Sequence, residues 1–346
     1  MLTHNRSIRT LIAAFTALGL ASIVSAQTVR TTPVGAVTKA IPTGLSSVGI
    51  SLVNPDMAVA LASANTTSTI TLTGIPNAGA ALTAGFPFYI EAVSGVLEGE
   101  RFDVDVVATI ASSSSVVTIL PSSVNNTLAL TTNALVGTQF AIRRHVTLAQ
   151  VQSFFSSPLV GNASPGSADQ IWILNSAGTG FTQYFLRNDL TTWRLTTGTV
   201  NVANTVFIPP GTGFIVQKRN TANSLVAVGS VRVNDFSMPL GSGISFRAPA
   251  YPVSYSPASL GGTIANGWTG NISPGSADQL RVLNTAGAGF DSYFLRNDGT
   301  TWRLSTGTTN VASNLLFNYD SGFLVSRRLS DTNYILVSPV KAALAL

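Results

Sequence analysis

Catalysis has few residues to draw on in this chain of 346 residues, which holds two histidines and no cysteine. His4 lies in an N-terminal stretch read below as a leader, so a Ser-His-Asp arrangement would have to use His145. No Gly-x-Ser-x-Gly elbow accompanies it, and Gly241-Ser-Gly-Ile-Ser has the wrong spacing. A His-rich or thiolate-bound zinc lacks its ligands, and no phosphate-cradling glycine loop ends in Lys-Ser/Thr. Carboxylate-pair hydrolysis needs two acids facing one another across a cleft. Asp169 with Asp278, and Asp189 with Asp298, are candidates by duplication. Their Gly-Ser-Ala-Asp-Gln and Arg-Asn-Asp settings favour the ordinary Asx-turn role. Glu98, Glu100, Asp103 and Asp105 crowd together and offer the oxygens a Ca²⁺ ion wants. Asp103 and Asp105 alternate with Phe102 and Val104, however, and Arg101 stands among them, as on the solvated face of a half-buried strand. No catalytic residue, metal or cofactor is assigned.

A second kind of chemistry is recognition. Trp193 and Trp302, with Tyr184 and Tyr293, could present flat faces to sugar rings. Arg187, Arg194, Arg296 and Arg303 would then donate to hydroxyls or carboxylates of a polysaccharide. The plainer expectation is that Trp and Leu form the core face of a small sheet, with the arginines tied to Asp169 and Asp278, because large aromatics are mostly buried.

These residues recur because the stretch that carries them recurs. Gly161-Asn-Ala-Ser-Pro-Gly-Ser-Ala-Asp-Gln through Trp193-Arg-Leu returns as Gly270-Asn-Ile-Ser-Pro-Gly-Ser-Ala-Asp-Gln through Trp302-Arg-Leu. Roughly three-quarters of the aligned positions are identical, which marks an internal duplication. Gly213-Phe-Ile-Val and Gly322-Phe-Leu-Val extend the match. Thr147 and Ser256 stand at equivalent places, each able to cap a short helix, and Pro257 suits a first helical position. Asp298-Gly299 predicts a hairpin that pairs Leu295 with Trp302 and Tyr293 with Leu304. The first repeat has Asp189-Leu190 there; Leu resists positive φ, so a different turn is expected.

From Thr31 to His145 the text is strand-like, with short Val-, Ile-, Thr- and aromatic-rich runs bounded by Gly, Pro, Asn and Ser. Met57–Ala64 reads as a short helix. The fold class is therefore all-β: antiparallel sandwich or barrel-like modules with short helices, the C-terminal half an internal duplication. Arg6 and Arg9, the apolar run Leu11–Val24 and the small residues Val24-Ser-Ala read as a secretory signal over residues 1–26. The expected divisions are a β domain over 27–145 and repeat modules over 146–232 and 233–346. Export places the chain outside the cell, at its surface or in the periplasm, with no membrane span after removal of the signal. The net charge of +5 is small and carries no basic run, which argues against nucleic acid as a partner. Polysaccharide, other surface proteins, or self-association through exposed strand edges fit better.

Several elements taken in order resemble a known family. They are Thr32-Pro-Val-Gly, Gly49-Ile-Ser-Leu-Val, Val93-Ser-Gly-Val-Leu-Glu-Gly-Glu-Arg-Phe-Asp and Ala141-Ile-Arg-Arg-His-Val-Thr-Leu, then Ala168-Asp-Gln-Ile, Tyr184-Phe, Trp193-Arg and Gly213-Phe-Ile-Val. Together they resemble a family of uncharacterised exported proteins that occur as many paralogues in Verrucomicrobia-like bacteria. The resemblance implies a secreted, β-rich protein and assigns no catalytic residue. The expectation is a non-catalytic structural or binding protein, with carbohydrate binding at the hairpins and carboxylate-dependent hydrolysis as the alternatives.

Overall fold

The computed structural model describes residues 33–120, 130–329 and 334–343; the expected signal at 1–26 lies outside them. The protein is all-β, built from antiparallel sheets with short helices at Val106–Ser112, Leu148–Ser153 and Pro339–Ala343. No helix among the described residues is long and apolar enough to cross a membrane.

Six strands close into a barrel. Around it run Asp56–Asn65, Thr69–Leu72, Val116–Leu120, Arg101–Val104, Phe88–Ala92 and Gln139–Arg144, which returns to the first. Its interior is filled by Ile70, Phe88, Ile90, Phe102, Val117, Phe140 and Ile142, so it is a packed core and not a channel. Asp56–Asn65 corrects the helix expected over Met57–Ala64. Ala and Leu favour helix locally, but this segment pairs with Gln139–Arg144 on one side and Thr69–Leu72 on the other. Ala60 and Ala62 enter the barrel while Met57, Val59 and Leu61 face out. The strand Arg101–Val104 ends where Asp105 caps the helix Val106–Ser112 by accepting from the Ala108 amide at 3.0 Å.

Each repeat forms a five-stranded sheet of the same order. The first runs Trp193–Leu195, Phe181–Leu186, Gln170–Leu174, Gly213–Lys218 and Gly44–Gly49. The second runs Trp302–Leu304, Phe290–Leu295, Gln279–Leu283, Phe323–Arg327 and Gly243–Arg247. The outermost strand of the first sheet thus comes from far upstream. Val34–Ile41 likewise pairs along its whole length with Asn223–Val231. The expected division between 27–145 and 146–232 therefore does not follow the sheets. Residues 34–53 complete the first repeat, and the barrel interrupts it between Val53 and His145.

The two sheets meet back to back. Ile215, Trp172 and Phe181 of one pack with Phe246, Leu324 and Phe290 of the other. The contacts are reciprocal: Gly49 donates to the Asp320 carbonyl at 2.8 Å, and Ala248 donates to the Gly211 carbonyl at 2.9 Å. At the centre Gly213 and Gly322 touch. A Cβ on either would lie within 3 Å of the other's Cα, which is why Gly stands at the entry of both closing strands. This is the geometry of an isologous dimer interface held within one chain.

The two hairpins use one turn, which corrects the expectation of a different turn in the first repeat. Leu190 donates to the Arg187 carbonyl and Gly299 to that of Arg296, both at 3.0 Å. Leu190 adopts φ +57° and Gly299 φ +82°. Asp189 and Asp298 each accept from two following amides at 2.8–3.0 Å. The Leu side chain lies over Gly161; in the second repeat Ile264 lies over Gly270 and Gly299 from another direction. One apolar cover per turn is kept, and its origin differs. A left-handed Leu costs about 1–2 kcal/mol. Leu190→Gly is therefore expected to be more stable than Leu190→Ala by about 1 kcal/mol in urea unfolding, the reverse of the usual order. An Ala variant at least as stable as the Gly variant would show that the turn is unstrained.

Candidate functional site

The predicted hairpin register is the observed one: Leu295 faces Trp302, Phe294 faces Arg303 and Tyr293 faces Leu304, with the same pattern in the first repeat. The Trp-bearing face is closed. Trp193 and Trp302 are both 0 % exposed and belong to the cores of their modules, so neither can offer a ring face to a sugar. Each indole N–H is occupied: Trp193 donates to the Gln152 side chain at 2.7 Å, and Trp302 to the Gly262 carbonyl at 2.6 Å. Tyr184 and Tyr293 are half-buried against the same cores. Burial pushes both phenols above their ordinary value.

The arginines do not pair with Asp169 and Asp278 as expected. Arg187 donates to the Ala163 carbonyl at 2.8 Å and Arg296 to the Ile272 carbonyl at 3.0 Å, tying the preceding loop to the hairpin. Arg194 and Arg303 are half-buried and alternate with the tryptophans, so they face the other side of the sheet. The eight proposed ligand contacts are therefore a core, two loop ties and two cations on the opposite face of their sheets, not one surface.

The duplicated acids are fasteners. Asp169 is 1 % exposed, paired with Lys218, and accepts from the amides of Val160 and Arg219, each at 2.8 Å. Asp278 is 0 % exposed, lies 3.0 Å from Nε of Arg327, and accepts from the amides of Thr269 and Arg328. Each carboxylate ties the start of one strand to the end of the closing strand and to the loop before it. Asp189 and Asp298 act only in their turns. Backbone donation from Thr191, with help from Thr192, holds the Asp189 carboxyl at about 2. Thr301 and Thr300 hold Asp298 below its ordinary value in the same way.

Neither reading of the Glu98–Asp105 cluster holds. The strand does alternate, but its outer face is covered instead of wet, and the acids diverge. Glu98 pairs with Lys341 at 2.8 Å, and Glu100 accepts from Ser237 at 2.8 Å. Asp103 is 2.9 Å from Nε2 of His145. No group of acids and histidines among the described residues is placed to hold a metal ion. His145 is 1 % exposed, with Phe207 stacked on one side at 4.2 Å and Tyr89 at 4.7 Å. Burial lowers its pKa against the pull of Asp103. The pair has the elements of a general base, but these neighbours leave its ring no face for a substrate.

Beside it lies a buried charge network that sequence reasoning missed. Glu91, 0 % exposed on the same outer face of the barrel, accepts from Arg232 at 2.9 and 3.2 Å, from Asn234 at 3.2 Å, and from Arg143. Arg143 also reaches Asp56 at 2.5 Å. Arg101 and Arg232 lie over the Phe236 ring at 4.1 and 4.3 Å. The segment Arg232–Phe236 joins the two repeats, so the network fastens barrel and repeats together. The alternation of Glu91 with Ile90 and Ala92 was a visible signal of an outward acid; the residues that cover it come from far along the chain.

One opening does differ between the repeats. A cavity of about 470 Å³ lies in the second, bounded by Tyr255, Leu260, Gly261 and Asn266 on one side and Tyr334 and Leu336 on the other. No charged side chain lines it. Tyr255 is 7 % exposed, and its hydroxyl has no hydrogen-bond partner. Burial pushes that phenol up to about 12. The sequence signal was the replacement of Gln152-Ser-Phe-Phe by Gly261-Gly-Thr-Ile at aligned positions. No family model, curated protein or solved structure matches the chain.

Proposed function

We propose that this is a non-catalytic structural or binding protein of the bacterial exterior, exported and held at the cell surface, in the extracellular space or in the periplasm. The observation that carries this reading is the engagement of the duplicated acids. Asp169 and Asp278, the pair a hydrolase would need, each spend their oxygens on an ion pair and two backbone amides inside the fold. Carboxylate-pair catalysis would require them free and facing a common cleft. The leader-like residues 1–26 supply the argument for export. Partners of the kind proposed are other surface proteins or polysaccharide, met through surfaces other than the Trp-bearing faces.

The purified full chain is expected to give no turnover above buffer on polysaccharide, peptide and ester panels, and its envelope or medium form to begin at Gln27. Turnover abolished by Asp169→Asn or by Asp278→Asn in a protein that still folds would overturn the non-catalytic reading. Recovery of an uncleaved chain from the cytoplasm would overturn export.

A further inference from the structure

The face of each hairpin opposite its tryptophan carries polar side chains that the fold leaves unused. In the first repeat Arg194 stands directly opposite the buried Phe185. Gln183 shares that face by strand alternation and lies beside Thr196, whose amide donates to the Gln183 carbonyl at 3.0 Å. In the second repeat Arg303 stands opposite Phe294, and Ser292 lies beside Ser305 through the same bond at 2.8 Å. The side chains of Gln183, Arg194 and Thr196, and of Ser292, Arg303 and Ser305, make no hydrogen bond or ion pair with any described residue.

Both arginines are set in the same way. Nε of each is closed to water and has no partner, whereas the two Nη nitrogens remain in contact with solvent. The apolar stem is therefore held against the sheet while the outer fork points outward. Two parallel donors at the end of a guanidinium fit a carboxylate, and no acid of the fold meets either fork. The neighbouring arginines are used differently. Arg187, Arg219, Arg296 and Arg328 each donate to a backbone carbonyl, and Asp189 and Asp298 accept from the amides of their own turns.

Charge complementarity calls for an anion at each fork. The amide and hydroxyl side chains beside it call for an anion that also carries hydroxyls, since convergent polar groups fix a ligand's orientation. The set occurs twice at equivalent positions, which suits a partner whose own anionic unit repeats. We propose that the Arg194 and Arg303 faces bind an acidic polysaccharide, a polymer of uronic acid units. Each fork takes one carboxylate, and Gln183 with Thr196, or Ser292 with Ser305, takes the adjacent ring hydroxyls. This rests on the binding form of the function proposed above and names its partner. An acidic peptide would bring carboxylates without the hydroxyls, and a nucleic acid would ask for a basic run that the chain lacks.

The probe is polygalacturonate coupled to a resin, with neutral dextran and polyglutamate resins beside it, and retention of the full chain is measured at about physiological salt. Retention on polygalacturonate alone is expected. Arg194→Gln and Arg303→Gln should each weaken it, and the double variant should weaken it at least about tenfold, with melting unchanged. Oligogalacturonate should also protect Arg194 and Arg303 of the unaltered chain from phenylglyoxal, read by peptide mass spectrometry, while Arg219 and Arg328 react as before. That result stands if a variant fails to fold. The proposal is overturned by equal retention on polyglutamate, or by a folded double variant retained like the unaltered chain, or by no protection of Arg194 and Arg303. A chain that binds the polymer and cleaves it would overturn the non-catalytic reading and keep this one. A chain that neither binds nor cleaves it would overturn this one and keep the non-catalytic reading.

Discussion

Glu91→Gln is expected to destabilise the protein by about 3–5 kcal/mol, because it breaks a buried ion network from the side that holds the charge balance. The carboxylate sits among Arg143, Arg232 and Arg101 with no exposure to water. A Gln of nearly the same shape keeps one acceptor oxygen but turns an amide donor toward guanidinium donors. Arg143 keeps Asp56, whereas Arg232, whose two bonds to a side-chain carboxylate both end on Glu91, keeps at most one of them. Burial already drags the Arg101 guanidinium down to about 10 against the pull of Glu91, so removing Glu91 raises the cost of its charge further. The pH dependence has a definite sign. Burial alone would push the Glu91 carboxyl up, but Arg232, Arg143 and Arg101 together outweigh it and hold it below its ordinary value. Its contribution is therefore full above the unfolded carboxylate pKa of about 4.3 and is lost as pH falls through the lower folded value. Urea unfolding at neutral pH should show the full deficit of Glu91→Gln, and the gap to the unaltered chain should narrow in acid. A deficit under about 1 kcal/mol at neutral pH would mean that water reaches the network and screens it.

That network marks the boundary of what the sequence could say. The hairpin was legible because its information is local: alternation sets the faces, and the turn sets the register from Leu295 to Leu304. The all-β class was legible for the same reason, from short alternating runs bounded by turn residues. The partners of Gly44–Gly49 and Val34–Ile41 were not, because they lie beyond an entire barrel, and strand text carries no address for a distant edge. The outer barrel face of Glu91, Arg101 and Asp103 shows the same limit. Alternation said that these residues point outward, and nothing nearby said that Arg232–Phe236 would cover them. Leu190 failed differently: the local rule against positive φ was sound, but packing over Gly161 and the Asp189 turn bonds prevail over a penalty of about 1–2 kcal/mol. Of the candidate site residues, composition found the right ones to ask about, but burial gave tryptophan and aspartate their jobs.

The tryptophans give the sharpest contrast between a surface and a core. Truncating either to Ala is expected to cost about 3–5 kcal/mol, the ordinary loss for a large buried aromatic. Trp302→Ala should be the worse of the two. Its ring packs edge-on against Trp268 at 5.6 Å, and Trp268 in turn packs on Tyr334 at 6.2 Å and lies under the Arg327 guanidinium at 4.5 Å. Arg327 is the cation that holds Asp278, so the cavity left by Trp302 loosens the buried ion pair of its own repeat. Trp193 has no second tryptophan beside it, and its N–H bond ends on the half-buried Gln152 side chain, which can turn to water once freed. Trp→Phe separates the two contributions. It keeps most of the apolar volume but leaves the Gly262 carbonyl unpaired in the second repeat, for a loss of about 1–3 kcal/mol there, and less in the first. Thermal melting and near-ultraviolet circular dichroism of the four single variants would read both the order and the loosening of Trp268. Alanine variants that melt like the unaltered chain while losing retention on polysaccharide would return the tryptophans to the surface.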